Sequence, residues 1–136
     1  RRWTLALAAG IFSGGLTRAT AYASERYQGG DVIIRHSGLR AILAKLQAAQ
    51  ASAELTFRST VPSQFAENRE GGGAFLPLFC DAMESLADKS QFIIQIFGGY
   101  GYMEDFTVER VYRDVTTLAV AFGRRGFDRV QEHHAA

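Results

Sequence analysis

The amino-acid sequence predicts an all-α protein, an up-and-down four-helix bundle. Three observations lead to this fold class: apolar residues recur at helical spacing in four segments, no segment alternates like a β-strand, and only two prolines interrupt 136 residues. A chain of this length is one domain's worth of sequence and buries a real core. Four successive amphipathic helices hide their apolar faces by packing on one another.

The first helix is predicted from Arg2 to about Tyr27. Small residues between positions 8 and 15 fill one side of it and let a neighbouring backbone come close. The pair Gly29-Gly30 is expected to end the helix, since glycine is a common C-terminal residue. Its predicted apolar stripe consists of Trp3, Leu7, Ile11, Leu16, Ala19 and Tyr22.

The second helix is predicted to begin near Ser37, as its N-cap, and to run through Phe57. A polar loop over residues 59–73 follows, rich in the Pro, Asn and Gly of turns. The third helix opens near Phe75, with Pro77 in its first turn, where proline is tolerated. Its predicted stripe is Phe79, Ala82, Leu86, Ser90, Ile93 and Phe97.

Gly98-Gly99 is predicted to end the third helix, and the fourth begins near Thr107. A short fifth segment, residues 126–134, closes the chain. The charged run ERVYRD is expected to be a solvated face in which Glu109 and Arg113 form an i, i+4 pair. The predicted stripe of the fourth helix is Val108, Val111, Val115, Leu118 and Phe122.

Composition excludes several classes of protein. With 15 Lys and Arg against 14 Asp and Glu, the net charge of +1 gives no basic excess for nucleic acid. No apolar run approaches the roughly 20 residues that span a bilayer. The single cysteine, Cys80, excludes an internal disulfide and is expected to be a buried structural thiol. It fits a reducing compartment, and we expect a cytoplasmic protein.

The usual catalytic and metal-binding motifs do not occur in the sequence. The three histidines, His36, His133 and His134, lack ligand spacing, so no metal site is expected. No nucleophile elbow is present, and the glycines around Gly99 neither complete G-x-G-x-x-G nor follow a strand. Two interpretations of FGGYGY stay open at this point: a helix stop with a turn, or bare backbone that faces a ligand.

The stretch QIFGGYGYMEDFTVERVYRD, residues 95–114, resembles the C-terminal signature of the acyl-CoA dehydrogenase family, Q-x-x-G-G-x-G-[YF] followed by P-V-E-[KR]-x-x-R-D. Thr107 stands where the family has proline. A second block, AYASERYQGGDVIIRHSGLRAILAKL, residues 21–46, is similar to the family's upstream motif. The resemblance implies that residues 1–136 form the family's C-terminal helical domain, without its N-terminal helical and middle β domains.

This resemblance implies an FAD-dependent oxidoreductase of fatty acid metabolism that dehydrogenates acyl-CoA thioesters between the α and β carbons. In the family this domain makes the dimer and tetramer contacts and grips the ADP end of the neighbouring subunit's FAD. Glycine N–H groups and an arginine suit phosphate. Two family residues are replaced, an aromatic by Gly29 and a glutamine by Ser37. The implied FAD-binding residues are Arg26, Gln28, His36, Ser37, Gln95, Gly98 and Gly99.

The family's catalytic base, a glutamate that takes the α-proton, aligns with Phe122. Phenylalanine cannot accept a proton, so no catalytic residue is predicted in this chain. In isovaleryl-type and long-chain members the base lies on the first helix of the domain. That position falls one residue before Arg1.

Three functions therefore remain open: an active dehydrogenase, a catalytically silent subunit that completes an active partner's FAD site, or a related flavin monooxygenase or oxidase. Arg124-Arg125 is either a solvated pair or a phosphate contact. The implied partners are an acyl-CoA substrate, a second copy of the chain in a homodimer or homotetramer or a catalytic relative in a hetero-oligomer, and an electron-transferring flavoprotein.

Overall fold

A computed structural model of the protein describes residues 1–60 and 72–123. Four long helices dominate these residues, so the predicted all-α four-helix bundle is confirmed. Residues 61–71 of the predicted loop and the predicted fifth segment lie outside the described residues. The helices are α1 (Arg2–Glu25), α2 (Ser37–Thr60), α3 (Gly72–Phe97) and α4 (Glu109–Phe122).

The helices form an up-down-up-down bundle. α1 and α3 pack against each other and against both remaining helices, so α2 and α4 lie on opposite sides of the α1–α3 pair. The ring of Tyr22, near the C-terminal end of α1, stacks on Phe97, at the C-terminal end of α3, with 4.4 Å between centroids. The two C-terminal ends are therefore neighbours, and α1 and α3 run parallel. Phe106, just before α4, meets the Tyr22 ring edge-on, so α4 runs antiparallel to α1.

The core face of α1 corrects the sequence analysis. The predicted stripe is wrong at Trp3 and Leu7, which are 84% and 55% exposed. Part of the small-residue side faces the core, with Gly15 buried and Gly14 exposed, because α1 contacts three helices and short side chains let helix axes come close. A Cβ at Gly15 would lie 2.8 Å from Val111 Cγ1. The buried residues of α1 are Leu5, Ala8, Ala9, Phe12, Gly15, Ala19 and Ala23.

A two-stranded hairpin joins α1 to α2, where the sequence analysis expected no strand. β1 (Tyr27–Gln28) pairs antiparallel with β2 (Asp31–Val32). Gly29 and Gly30 have φ values of +66° and +91°, the left-handed backbone that a two-residue hairpin turn of type I′ requires. These glycines therefore form the turn of a hairpin, and α1 ends earlier than predicted, at Glu25.

The start of α2 also differs in detail from the prediction. A single 3₁₀ turn, Ile33–Arg35, follows the hairpin. The His36 carbonyl oxygen accepts a hydrogen bond from the Arg40 N–H at 3.0 Å. His36 therefore holds the N-cap position, and Ser37 is the first helical residue rather than the cap.

α3 starts at Gly72, three residues before the predicted Phe75, so that Pro77 lies in the helix interior rather than in the first turn. The predicted α3 stripe is confirmed, because all six of its residues are buried. α4 begins at Glu109 rather than at Thr107, since Thr107 has a left-handed φ of +50° that a helix does not accommodate. Cys80 is buried as predicted.

Candidate functional site

Both sequence motifs lie at the same end of the bundle. The C-terminal ends of α1 and α3 and the N-terminal ends of α2 and α4 meet there, because neighbouring helices in this topology alternate in direction. A five-residue 3₁₀ turn, Gly98–Tyr102, continues directly from α3. We refer to these five residues as the glycine turn.

The three glycines of the glycine turn have different structural roles. Gly98 has a φ of +56°, so a side chain would strain the backbone there. At Gly101 a Cβ would lie 2.6 Å from the Ile94 carbonyl oxygen, so packing alone requires glycine. A Cβ at Gly99 meets no atom of the described residues within 4 Å. The fold therefore accounts for two glycines, and the bare backbone of Gly99 is left available to a ligand.

An aromatic cluster supports the glycine turn. The Tyr22–Phe97 stack is joined by Phe106, whose ring centroid lies 5.9 Å from that of Phe97. Tyr100, within the turn, lies 5.4 Å from Phe106 by the same measure. Edge and offset ring contacts of this kind add stability beyond the burial of apolar area. The turn is thus held by packing and is organised before any ligand binds.

Arg26 joins the upstream motif to the glycine turn. Its guanidinium carbon lies 5.5 Å from the centroid of the Tyr100 ring, a cation–π contact. The side chain is nevertheless exposed, so its N–H donors can reach an anion. The structure therefore brings together two elements that the sequence analysis linked only by resemblance.

The other upstream candidates lie in and beside the hairpin. The His36 Nε2–H donates to the Gln28 carbonyl oxygen at 2.9 Å, which fixes the imidazole against the hairpin. The ring lies 3.5 Å from where a Cβ of Gly29 would be. Ser37 is exposed at the first position of α2. These residues share the bundle end with Arg26 but do not line the groove described below.

An ionic contact stabilises the same hairpin. The Asp31 carboxylate accepts a hydrogen bond from the Val32 N–H at 2.7 Å and pairs with Arg35 at 3.3 Å. The Val32 N–H above all, and then Arg35, hold the pKa of Asp31 below its ordinary value.

An open groove of about 700 Å³ runs between the outer faces of α3 and α4, beside the glycine turn. Gln95 and Gly98, two of the predicted site residues, line it. Sequence reasoning did not place the α4 residues there, because Gly98 and Glu109 are 11 positions apart and share a groove only through tertiary packing. The lining residues are Gln91, Phe92, Ile94, Gln95, Gly98, Tyr102, Glu109 and Tyr112.

Glu109 is the acidic residue of this groove. Its Oε1 lies 3.9 Å from Arg113 Nη2, which confirms the predicted i, i+4 pair, and 3.9 Å from Arg110 Nε. Its Oε2 is buried and has no hydrogen-bond partner within residues 1–60 and 72–123. A buried acceptor without a partner is unfavourable, and in native proteins it often marks the place of a ligand or water.

Phe122 lies at the opposite end of α4, about 20 Å from Glu109 at 1.5 Å of rise per residue. Its side chain is 50% exposed. Arg124-Arg125 and the histidines at 133 and 134 are outside the described residues. Within the part of the chain that is described, no three His, Cys, Asp or Glu side chains cluster to hold a metal ion, and no helix could cross a membrane.

Comparison with known proteins assigns this domain to a class and then to a family. The fold is that of acyl-CoA-dehydrogenase-like helical domains: butyryl-CoA dehydrogenase from Megasphaera elsdenii superposes with a TM-score of 0.77 at 24% identity, over 99% of this chain and 35% of that one. A chain from a structure described as the electron transferring flavoprotein of Acidaminococcus fermentans superposes with a TM-score of 0.75 at 27% identity, with the same coverage.

The family model for the acyl-CoA dehydrogenase C-terminal domain matches residues 1–131. The short-chain-specific acyl-CoA dehydrogenase of Clostridium acetobutylicum is 33% identical over 126 aligned residues, covering 87% of this chain and 31% of that enzyme. The chain therefore belongs to the acyl-CoA dehydrogenase C-terminal domain family, as its two motifs predicted. It spans about a third of the length of these relatives.

Proposed function

We propose that the chain is the C-terminal helical domain of a longer FAD-dependent oxidoreductase, which dehydrogenates acyl-CoA thioesters between the α and β carbons. In that enzyme an N-terminal helical domain and a middle β domain precede it. The domain makes contacts between subunits and holds the ADP end of an FAD bound mainly by the neighbouring subunit. FAD supplies the hydride acceptor of the reaction.

The glycine turn carries this proposal. A diphosphate needs N–H donors that no side chain shields, and Gly99 presents such a backbone although neither its packing nor its dihedral angles require glycine. Arg26, held on Tyr100 beside the turn, adds charge-assisted hydrogen bonds to phosphate oxygens. The residues present therefore fit the ADP portion of FAD. Gln28, His36 and Ser37 extend this contact along the hairpin and the start of α2, and Gln95 extends it into the groove.

Phe122 favours a second candidate function. Its ring is half exposed at the end of α4, where the family places its base, and it has no lone pair for a proton. The parent protein then either takes its base from another position or is a silent subunit that completes the FAD site of an active partner. A flavin monooxygenase or oxidase is a further alternative that the same lost base allows.

The proposed substrate, electron acceptor and oligomeric state follow from the same family assignment. Acyl-CoA is the proposed substrate, and an electron-transferring flavoprotein is the proposed electron acceptor of a dehydrogenase. The likeness to a chain from the Acidaminococcus fermentans structure supports the second of these. We propose a homodimer or homotetramer, or a hetero-oligomer if the subunit is silent.

The direct test is to titrate ADP into this chain and to measure its binding through the backbone amide signals in NMR spectra. The amides of Gly98 and Gly99 are expected to shift on titration with ADP. Gly99→Val is expected to weaken binding about tenfold, because a branched side chain shields the amide. Gly14→Ala is the control, since its added Cβ meets open space on the exposed side of α1. If millimolar ADP leaves the glycine turn unshifted, the proposal is wrong.

Activity separates the two candidate functions. In the full-length protein, Phe122→Glu is expected to create or raise acyl-CoA dehydrogenation if the subunit is silent only because it lacks a base. If the wild-type protein already turns over acyl-CoA with bound FAD, the silent-subunit alternative is excluded. A full-length protein that purifies without FAD and fails to take it up would contradict both.

A further inference from the structure

We infer that Glu109 is a nucleotide-binding residue whose Oε2 accepts a hydrogen bond from a ribose hydroxyl of an adenosine seated in the groove between α3 and α4. This inference rests on the proposed function, because it identifies the part of the ADP moiety that lies beyond the glycine turn. Neither the motif nor the predicted Glu109–Arg113 pair implied such a role.

The unpaired oxygen is the first support. Glu109 lines the groove and is 32% exposed as a side chain, yet its Oε2 is buried without a donor among the described residues. Rotation of a carboxylate about its last bond is soft, so Oε2 can turn toward the groove at the expense only of the long, 3.9 Å contacts of Oε1 with the two arginines. A ligand hydroxyl at that position would satisfy an acceptor that the described fold leaves unpaired.

The charges around Glu109 make the two oxygens unequal. Arg110 and Arg113 both approach Oε1, each at 3.9 Å, and they compensate the negative charge of the carboxylate. Oε2 is left for a neutral donor. A carboxylate repels phosphate and suits a hydroxyl, and acidic residues that accept from ribose hydroxyls recur in dinucleotide sites. The diphosphate is therefore assigned to the glycine turn and the ribose to Glu109.

The remaining groove residues suit a planar base. Phe92 and Ile94 give the groove apolar surface, and Tyr102 and Tyr112 add two aromatic rings that are partly exposed. Gln95 offers both a donor and an acceptor to ring nitrogens. A volume of about 700 Å³ lies within the usual range of small-molecule sites. Apolar surface with a few polar groups is the composition expected for a nucleoside.

Comparing two nucleotides tests the assignment. ADP and 2′,3′-dideoxyADP are titrated into the wild-type chain, Glu109→Ala and Glu109→Gln, and dissociation constants are taken from the amide shifts of Gly98 and Gly99. Wild type should prefer ADP by about tenfold, the size of one hydrogen bond to a charged acceptor. Glu109→Ala should bind both nucleotides equally, through loss of ADP affinity alone. Glu109→Gln keeps an uncharged acceptor and should retain a preference of roughly threefold.

Asp114→Asn is the matched control. Asp114 lies on the same helix and pairs with Arg113 at 3.9 Å, but it does not line the groove, so its removal should leave the preference for ADP intact. If the amides of the glycine turn shift with ADP but the preference is absent or survives Glu109→Ala, this inference alone is wrong. If neither nucleotide shifts the glycine turn, the proposed function is wrong and this inference with it.

Discussion

The two ends of α4 differ in the contacts that their terminal residues make. At its N-terminal end, Arg18 donates from Nη2 to the Phe106 carbonyl oxygen and to Thr107 Oγ1, the latter at 3.0 Å, and the aromatic cluster closes beneath. At its C-terminal end Phe122 is half exposed. The end that carries the motif residues is held by these contacts, whereas the residue at the position that the resemblance assigns to the family's base is half exposed.

This difference separates the glycine turn from the position that the family resemblance assigns to the catalytic base. The glycine turn depends on contacts among α1, α3 and the start of α4, and none of them involves Phe122, about 20 Å away along the helix. A phenylalanine at position 122 therefore leaves the glycine turn intact. Under the proposed function, a subunit without a base at position 122 would keep its proposed nucleotide site.

The largest expected effect comes from a side chain at Gly101. Gly101→Ala places its Cβ 2.6 Å from the Ile94 carbonyl oxygen, and backbone cannot move aside as a side chain can. We expect a loss of about 3 kcal/mol in the free energy of unfolding, at the upper end for overpacking. Gly99→Ala should change it by less than about 0.5 kcal/mol. Urea denaturation measures both, and equal effects would contradict the different roles of these glycines.

The next effect concerns Thr107, where the family usually has proline. Proline fixes φ near −65°, whereas Thr107 has +50°, so Thr107→Pro should destabilise the chain by about 2 kcal/mol. Thr107→Gly should be close to neutral, because glycine relieves about 1 kcal/mol of strain at this φ but removes the hydroxyl that accepts from Arg18. Thermal denaturation of the two variants tests both expectations. A stabilising proline would mean that the start of α4 has a different backbone conformation.

Gly14 and Gly15 are neighbours with opposite expected effects. A Cβ at Gly15 meets Val111 Cγ1 at 2.8 Å, and a β-branched side chain on a helix turns aside poorly. Gly15→Ala should therefore lower the free energy of unfolding by about 1 kcal/mol, after the gain in helix propensity has been subtracted. Gly14→Ala, which meets open space, should gain about 0.5 to 1 kcal/mol. In a Val111→Ala background Gly15→Ala should become stabilising, and its failure to do so would contradict the close approach of α1 to α4.

Much of the fold was readable from the sequence, because α3 and the start of α4 place large apolar residues at strict helical spacing. α1 was predicted only in part, because Trp3 and Leu7 of its predicted stripe are exposed while the other four residues of the stripe are buried or pack against the core. Five of its seven buried residues are Ala or Gly, which carry little hydrophobic signal, while Trp3 and Leu7 carry a strong one and are exposed. The hairpin was missed because strands of two residues cannot show alternation.

The candidate site was predicted only in part, for a similar reason. The motif identified Gly98, Gly99 and Arg26 as site residues, and the structure places Arg26 on Tyr100 in the same turn. The motif could not indicate that Gly98 and Glu109 share a groove. The predicted ion pair between Glu109 and Arg113 already accounted for an acidic residue at that position. An unpaired carboxylate oxygen becomes apparent only when the neighbouring helix is in place.

The smallest expected effect is the contribution of the Asp31 carboxylate, in the hairpin, to the stability of the fold. The pKa of Asp31 is lowered in the folded chain by the Val32 N–H and Arg35, so the carboxylate stabilises the fold above its unfolded pKa. That contribution is lost as the pH falls through the pKa that Asp31 has in the folded chain. Wild type should therefore lose slightly more stability than Asp31→Asn between pH 6 and pH 3 in urea denaturation. The carboxylate is exposed, so the difference should be small, and a wild type that resists acid better than the variant would reverse the sign of this coupling.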